Sequence, residues 1–175
     1  MSHSRKEFLT QGLFSLGKML LTSREPKGQA DSPHVIRPPG FIPEKAGGCG
    51  ECTLCEKACP EKVIARPPDI TGPVMDFSAR GCSVCTLCIA ACPTGVLAYP
   101  VDEKPLRLGL AWMKTGCLAA GGCFTCSEQC PQGAIRVSWG SEVMVDRESC
   151  IGCGRCESCC PVIPGAIRVE PMAAQ

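Results

Sequence analysis

The chain has 175 residues, a net charge of +1 and 17 cysteines, and its residues are 45% hydrophobic but only 5% aromatic. This charge gives no basic footprint for nucleic acid, and the absence of an apolar run of about 18 residues predicts no membrane span. The 19 glycines and 16 prolines indicate short elements and many loops. We therefore expect something other than a large apolar core to stabilise the fold.

The first 24 residues differ in composition from the rest of the chain. Ser4-Arg5-Lys6-Glu7-Phe8-Leu9 resembles a twin-arginine export signal with Lys6 in place of the second arginine. A helix over this segment would place four leucines on one face, at Leu9, Leu13, Leu16 and Leu20. This predicts a retained amphipathic helix that binds a partner or a membrane surface, and a cleaved export signal is the alternative. Together with the Pro/Gly-rich residues 25–46, the segment forms a predicted N-terminal region, 1–46.

Sixteen of the 17 cysteines fall into four groups, and each group ends in Cys-Pro. They are Cys49, Cys52, Cys55, Cys59; Cys82, Cys85, Cys88, Cys92; Cys117, Cys123, Cys126, Cys130; and Cys150, Cys153, Cys156, Cys160. The first, second and fourth groups read C-x-x-C-x-x-C-x-x-x-C-P, which is the thiolate run of bacterial cluster ferredoxins. The spacing predicts four [4Fe–4S] clusters whose iron is bound by these sixteen cysteines.

Two alternatives to iron–sulfur clusters are structural zinc and a disulfide framework. Zinc sites usually take two cysteine pairs across a longer loop, not four cysteines within one short run. Disulfides give no reason for a proline after every fourth cysteine. Both alternatives are therefore weaker than the cluster interpretation.

The assignment of ligands to individual clusters follows from the rule that the fourth cysteine of a group binds the partner cluster in two-cluster ferredoxins. By this rule each site takes three cysteines from one group and one from its neighbour, and we call this the crossed assignment. The predicted sites are Cys49, Cys52, Cys55, Cys92; Cys82, Cys85, Cys88, Cys59; Cys117, Cys123, Cys126, Cys160; and Cys150, Cys153, Cys156, Cys130. The set of sixteen ligands is firmer than this pairing.

Two cysteines depart from the regular pattern. Cys117 is followed by five residues before Cys123, where two are expected. Gly121 and Gly122 allow a wider loop, so we expect Cys117 to bind, the alternative being a labile or three-iron cluster. Cys159 adjoins Cys160, and because only Cys160 keeps the three-residue gap and the following proline, we expect Cys159 to be buried as a small apolar residue. A redox-sensing thiol is the alternative for Cys159.

The cysteine groups repeat every 33 to 35 residues, and each is followed by a predicted short strand. The strongest hairpin runs from Ile135 to Val145, where a three-residue loop at Gly140-Ser141-Glu142 would put both apolar sets on one face. Leu106, Leu108, Leu110 and Trp112 alternate as a second strand. Short helices are predicted around Cys55 to Cys59 and its counterparts, ending at the prolines. The fold class is α+β, with two tandem bacterial-ferredoxin-like units at 47–100 and 101–175.

Machinery for substrate catalysis is not visible in this sequence. The two histidines, His3 and His34, precede the first cysteine group, which removes most general-base schemes. No G-x-G-x-x-G run follows a predicted strand, so a bound dinucleotide is not expected. We predict no catalytic residue, and we expect Tyr99, Trp112 and Trp139 to pack in the core over the clusters.

The chain resembles the ferredoxin-type protein NapF family, which is encoded with periplasmic nitrate reductases. The resemblance is carried by the twin-arginine-like start, by Arg37-Pro38-Pro39 before the first group, and by the widened third group that opens Cys117-Leu118-Ala119. It implies a cytoplasmic accessory with four [4Fe–4S] clusters that associates with the molybdoenzyme catalytic subunit before export. A protein exported through Arg5-Lys6 is the alternative location.

Three function classes follow from these observations. The first is an electron carrier and maturation accessory of a periplasmic nitrate reductase type molybdoenzyme. The second is an electron-transfer subunit of a larger membrane-associated oxidoreductase, which would dock through the apolar stretch from Leu9 to Leu21. The third is a non-redox zinc or disulfide module.

Overall fold

Four single-turn helices carry the cysteine groups in the computed structural model, which describes residues 35–100, 106–138 and 142–172. They span Leu54–Ala58 (α1), Leu87–Ala90 (α2), Thr125–Glu128 (α3) and Arg155–Ser158 (α4). Each helix begins one residue before the third cysteine of its group and ends before the fourth, where the following proline cannot continue a helix. The prediction of short helices ending at the Cys-Pro pairs is confirmed.

Six short strands form three antiparallel two-stranded sheets. The strands are Ile64–Ala65 (β1), Val74–Met75 (β2), Leu110–Met113 (β3), Ile135–Val137 (β4), Val143–Val145 (β5) and Ile167–Glu170 (β6). β1 pairs with β2 and β4 with β5, so in each half the strand after one cysteine group pairs with the strand before the next. β3 pairs with β6, which joins the segment before the third group to the segment after the fourth.

The first half repeats this outer pairing in a reduced form. Phe41 and Leu97 form an isolated antiparallel bridge, and the Ile42 N–H donates to the Val96 carbonyl at 2.8 Å. The Ala98 N–H donates to the Gly40 carbonyl at 2.9 Å. Each half therefore consists of two cluster loops enclosed by an inner and an outer strand pair, which is the α+β arrangement predicted from the sequence.

The β4–β5 hairpin has a different register from the predicted one. Ile135 faces Val145 and Val137 faces Val143, and the Ser138 N–H donates to the Glu142 carbonyl at 2.9 Å. Glu142 therefore takes part in the ladder and not in the loop, so the pairing is displaced by two residues. An even displacement keeps every side chain on its face, and the apolar residues do share one face. The predicted positions of Trp139, Gly140 and Ser141 lie outside the described residues.

The predicted strand over residues 106–112 is only partly correct. Strand β3 begins at Leu110, and its buried residue is Ala111, which is 2% exposed, whereas Trp112 is 48% exposed. Ala111 faces inward, and its backbone N–H donates to the Cys150 Sγ at 3.4 Å, so this strand passes close to a cysteine site. The expectation of core packing is thus wrong for Trp112. It is also wrong for Tyr99, which is 59% exposed.

The described ranges belong to one compact unit, His34–Gln175, with two clusters of buried apolar residues. One cluster contains Val63, Ile64 and Met75 from the first half, and Leu108 and Val169 from the second half also pack in it. The other is built around Ala111, Ile135 and Ile167. Apolar contacts thus join the two halves. The domain boundary near residue 100 stays a prediction. Among the described residues, no helix combines the length and apolar character needed to cross a membrane.

Candidate metal centres

The cysteines of each group are held at three kinds of position. The first two lie before the α-helix, the third lies in it, and the fourth follows it. All 17 cysteines are in described ranges, and all are free of disulfides. Cys85 alone is classed as exposed, whereas six are buried: Cys55, Cys82, Cys88, Cys150, Cys153 and Cys156.

The second predicted site forms around one small cavity. Its four cysteines are Cys59, Cys82, Cys85 and Cys88, and Ile64 and Met75 supply apolar walls. The structure thus brings the fourth cysteine of the first group to the first three of the second group. Burial raises the pKa of the Cys82 and Cys88 thiols to about 11, so both would release a proton on binding iron.

The fourth predicted site has the same construction. Cys130, Cys150, Cys153 and Cys156 line one small cavity. Ala111, Ile135 and Val169 line it as well, so strands β3, β4 and β6 all contribute to the wall. Burial raises the pKa of the Cys156 thiol far above its ordinary value, with the nearby Cys153 and Cys150 adding to the effect. The lining again combines three cysteines of one group with the fourth cysteine of the neighbouring group.

The first predicted site brings Cys49, Cys52, Cys55 and Cys92 into one electrostatic neighbourhood. The pKa of the Cys49 thiol is raised, first by burial and then by the nearby Cys92 and Cys52, while the Arg66 guanidinium opposes the shift. The pKa of the Cys55 thiol is likewise raised, first by burial, and Cys49 contributes to the shift. Cys92, from the second cysteine run, thus lies close enough to Cys49 to affect its pKa.

The third predicted site is the irregular one. The widened loop after Cys117 contains a 3-10 turn, Ala119–Gly121, and a left-handed Gly122. Cys117 nevertheless lies near Cys126. The pKa of the Cys126 thiol is raised to about 11, first by burial and then by the nearby Cys117, Cys159 and Cys123. Cys126 and Cys160 pack against the same apolar cluster. The loop length therefore does not separate Cys117 from the rest of its group.

Cys159 has more polar surroundings than we expected. It is half-buried, and its thiol lies 3.5 Å from the Cys156 carbonyl and 3.9 Å from the Thr125 carbonyl, between helices α4 and α3. Both contacts are to backbone oxygens, so the expectation of a fully buried apolar residue is corrected. The thiol lies next to the third site without being one of its predicted ligands.

Backbone and hydroxyl donors are directed at several of the sulfurs. The N–H groups of Val84, Leu97 and Ala111 donate to the Sγ atoms of Cys82, Cys92 and Cys150 at 3.3, 3.4 and 3.4 Å. Burial by itself would raise the pKa of the Cys92 thiol, but hydrogen bonds from Leu97 and Thr94 outweigh burial and lower it. The hydroxyl of Thr125 lowers the pKa of Cys123 in the same way. Donors to sulfur stabilise the thiolate that iron requires and tune the reduction potential of a bound cluster.

The loop of the second site is held in an unusual backbone conformation. Val84 and Thr86 have φ values of 55° and 61°, in the left-handed region that β-branched residues rarely adopt. The equivalent positions of the fourth group are Gly152 and Gly154, with φ values of 67° and 76°. The same turn is therefore required at both sites, and it directs the Val84 N–H toward the Cys82 sulfur.

Arg66 is a functional candidate that the sequence pattern did not reveal. Its guanidinium donates to the Cys52 carbonyl and, at 2.5 Å, to the Gly50 carbonyl, so it clamps the first cluster loop. Arg66 directly follows β1 and precedes Pro67-Pro68. Its short distance from the first cysteine group was the only feature of the sequence that could have indicated this contact. A cation at this point favours negative charge at the first site.

These cysteines fit iron–sulfur clusters in residue type, spacing and surroundings. A Cys₄ cubane takes one thiolate on each of four irons, so its ligands line a cavity as they do at the second and fourth sites. Within the described ranges, no three Cys, His, Asp or Glu side chains form a group that could hold a single metal ion.

Comparisons with known proteins agree with this geometry. Residues 48–96 and 121–167 each match a family described as a 4Fe-4S dicluster domain. The second match begins after Cys117 and includes the other seven cysteines of its two groups. Each dicluster match contains cysteines of two neighbouring groups.

Three relatives are informative. The chain is 30% identical to the methylamine utilization ferredoxin-type protein MauM of Methylophilus methylotrophus over 183 residues, covering 89% of this chain and 77% of that protein. It is 28% identical to MauM of Methylorubrum extorquens over 200 residues, covering 97% of this chain and 90% of that protein. A 50-residue segment is 42% identical to one subunit of the ion-translocating oxidoreductase complex of Methanosarcina acetivorans, covering 27% of this chain and 17% of that protein.

Proposed function

Since this chain belongs to the ferredoxin-type iron–sulfur protein family that includes MauM, we propose that it holds four [4Fe–4S] clusters and passes electrons to a partner oxidoreductase. The observation that carries the proposal is the pair of cavities lined by Cys59, Cys82, Cys85, Cys88 and by Cys130, Cys150, Cys153, Cys156. Such clusters supply one-electron transfer when bound. We further propose that the chain has no substrate site of its own.

The residues of the chain have three tasks in this function. The sixteen thiolates hold the iron, and the N–H groups of Val84, Leu97 and Ala111 stabilise negative charge on the sulfurs. Apolar walls such as Ile64 and Ile135 keep water from the sites, which affects the reduction potential. Arg66 adds a positive charge beside the first site.

Anaerobic purification followed by iron and sulfide analysis tests the number of clusters. We expect about sixteen irons and about sixteen sulfides per chain, from four Cys₄ clusters. Reduction with dithionite should bleach the visible absorbance and produce an electron paramagnetic resonance (EPR) signal. A colourless protein that binds only zinc, or a protein that saturates at about eight irons, would contradict the proposal.

We propose a molybdoenzyme catalytic subunit of the periplasmic nitrate reductase type as the partner. The support is the resemblance of the sequence to NapF, including the widened group that opens at Cys117. In this proposal the chain works in the cytoplasm, before export of its partner. A methylamine-oxidising system is the second candidate, because relatives that cover most of this chain are named for methylamine utilization.

A third arrangement is permanent membership of a membrane-associated complex, supported by the short similarity to an ion-translocating oxidoreductase component. Anaerobic affinity capture of the full chain at native expression, with quantitative mass spectrometry, separates the three partners. We expect a molybdoenzyme catalytic subunit to be enriched over the capture with a cluster-free variant, Cys55→Ala with Cys88→Ala, Cys126→Ala and Cys156→Ala. Enrichment of amine-oxidising enzymes or of several membrane subunits would replace the first candidate with the second or the third.

A further inference from the structure

A direct hydrogen bond joins one cysteine site of the first half to one cysteine site of the second half. The backbone N–H of Cys82 donates to the carbonyl of Cys153 at 2.6 Å. Cys82 lines the cavity of the second site and Cys153 lines that of the fourth. The two cysteines are only 9% and 8% exposed, so this contact is shielded from water.

The backbones can approach this closely because glycines lie on both sides of the contact. A Cβ atom added to Gly81 would lie 2.5 Å from the backbone nitrogen of Arg155. A Cβ atom added to Gly154 would lie 2.2 Å from the Phe77 ring. Gly81, Cys82 and Phe77 thus fit against Cys153, Gly154 and Arg155, and we call these six residues the junction.

The other pairs of sites in opposite halves have no such connection. Within residues 35–100, 106–138 and 142–172, no hydrogen bond joins a predicted ligand of the first site to one of the third or fourth. In the same ranges none joins the second site to the third. Inside each half, Cys59 of the first group lines the second site and Cys130 of the third group lines the fourth. The predicted ligands Cys92 and Cys160 would make the reciprocal links within the halves.

From these contacts we infer that the four sites form a linear series in the order first, second, fourth, third, and that electrons cross between the halves at the Cys82–Cys153 hydrogen bond. The inference rests on the proposed function, since it requires a cluster at each site. With clusters bound, one electron would pass from the reduced cluster held by Cys82 and the other ligands of its site to the oxidised cluster held by Cys153 and the other ligands of its site, or in the reverse direction. No bond forms or breaks and no proton moves, and the external donor and acceptor are the redox partners.

The order can be tested by removing one cluster at a time and examining the dithionite-reduced protein by EPR. Neighbouring reduced clusters broaden each other's signals, whereas an isolated cluster gives an unsplit signal that relaxes slowly. The four double variants are Cys49→Ala with Cys52→Ala, Cys59→Ala with Cys85→Ala, Cys117→Ala with Cys123→Ala, and Cys130→Ala with Cys150→Ala. Iron analysis should give about twelve irons for each of them.

The linear series predicts which variants contain an isolated cluster. Loss of the second cluster should isolate the first, and loss of the fourth should isolate the third. Loss of the first or the third should leave three coupled clusters. An isolated signal in either of the last two variants would overturn the order. Fewer than about sixteen irons in the unmodified protein would instead contradict the proposed function.

A second experiment examines the junction itself. Gly81→Ala separates the two backbones without removing a ligand, and Gly47→Ala is its control, because an added Cβ there meets nothing within 4 Å. We expect Gly81→Ala to retain all its iron but to show weaker broadening between the second and fourth clusters, and we expect Gly47→Ala to behave as the unmodified protein. Unchanged coupling in an iron-replete Gly81→Ala protein would overturn the role of the junction. If Gly81→Ala loses iron, the four double cysteine variants decide whether the second and fourth sites are neighbours in the series.

Discussion

At the scale of single residues, chemically identical thiols lie in different surroundings. Cys159 and Cys160 are adjacent, yet Cys159 contacts the carbonyls of Cys156 and Thr125, whereas Cys160 packs against the apolar cluster that includes Cys126. Residues outside the cysteine pattern matter as well, since Arg66 contacts the first cluster loop through two carbonyls. Both cases lead to substitutions with measurable effects.

The pair Cys159 and Cys160 gives the first prediction. Cys160→Ala should lower the iron content from about sixteen to about twelve per chain, because one Cys₄ cluster loses a ligand and is released. Cys159→Ala should retain about sixteen. Iron analysis after anaerobic purification measures both variants. If Cys159→Ala were the variant that lost iron, Cys159 would be the ligand of the third site.

Arg66 gives the second prediction. Arg66→Gln should lower the reduction potential of the first cluster, because a positive charge near Cys49 favours the reduced, more negative state. An exposed charge interaction of about 0.2–1 kcal/mol corresponds to about 10–40 mV for one electron. EPR-monitored redox titration measures this shift. Arg66→Lys keeps the charge, so a drop of the same size in that variant would assign the effect to the hydrogen bonds instead.

At the scale of elements, the strands serve mainly as walls of the cysteine sites. β3 presents Ala111 to the fourth site and Trp112 to the outside, where the Arg147 guanidinium lies 5.7 Å from the Trp112 ring. The alternation of large apolar residues indicated a strand here, but it could not show which face would meet a cluster. The strand position next to the Cys150 sulfur is occupied by the small Ala111. A hydropathy pattern gives little weight to alanine, so it did not indicate that this face is the buried one.

The third prediction concerns this strand. Ala111→Leu should destabilise the loaded protein by about 1–3 kcal/mol, because a well-packed wall has no room for the added carbons. Trp112→Ala is the matched control on the opposite face and should cost at most about 1 kcal/mol from the lost cation–π contact. Thermal loss of the visible absorbance compares the two. Equal effects would show that both faces of β3 are equally packed.

At the scale of the whole molecule, the fold could be predicted within each half but not between the halves. Cysteine spacing located the helices because each third cysteine follows the first residue of a helix. The hairpin was found with its faces correct but its register wrong by two residues, since alternation encodes side-chain parity and not loop length. The Cys82–Cys153 contact could not be predicted, because the second and fourth cysteine runs share their spacing with the first and nothing in that spacing identifies a neighbour in the other half.

The fourth prediction is that the fold requires its metal. The α-helices of the described ranges have four or five residues, the longer 3-10 helix has seven and the strands have two to four, so none of these elements is stable in isolation. Removal of iron with a chelator under oxidising conditions should abolish the far-ultraviolet circular dichroism of the folded state, because cluster binding is part of the folding free energy. Anaerobic return of iron and sulfide should restore it. A metal-free chain that kept native hydrogen-exchange protection would contradict this prediction.

The crossed arrangement of cysteines has a consequence for biosynthesis. In the crossed assignment the first site needs Cys92 and the third needs Cys160, each more than 40 residues beyond the first cysteine of its own set. A ribosome must therefore deliver both cysteine runs of a half before either cluster of that half can be completed. We expect iron loading to proceed in two stages during synthesis, with one pair of clusters after Cys92 emerges and the other after Cys160.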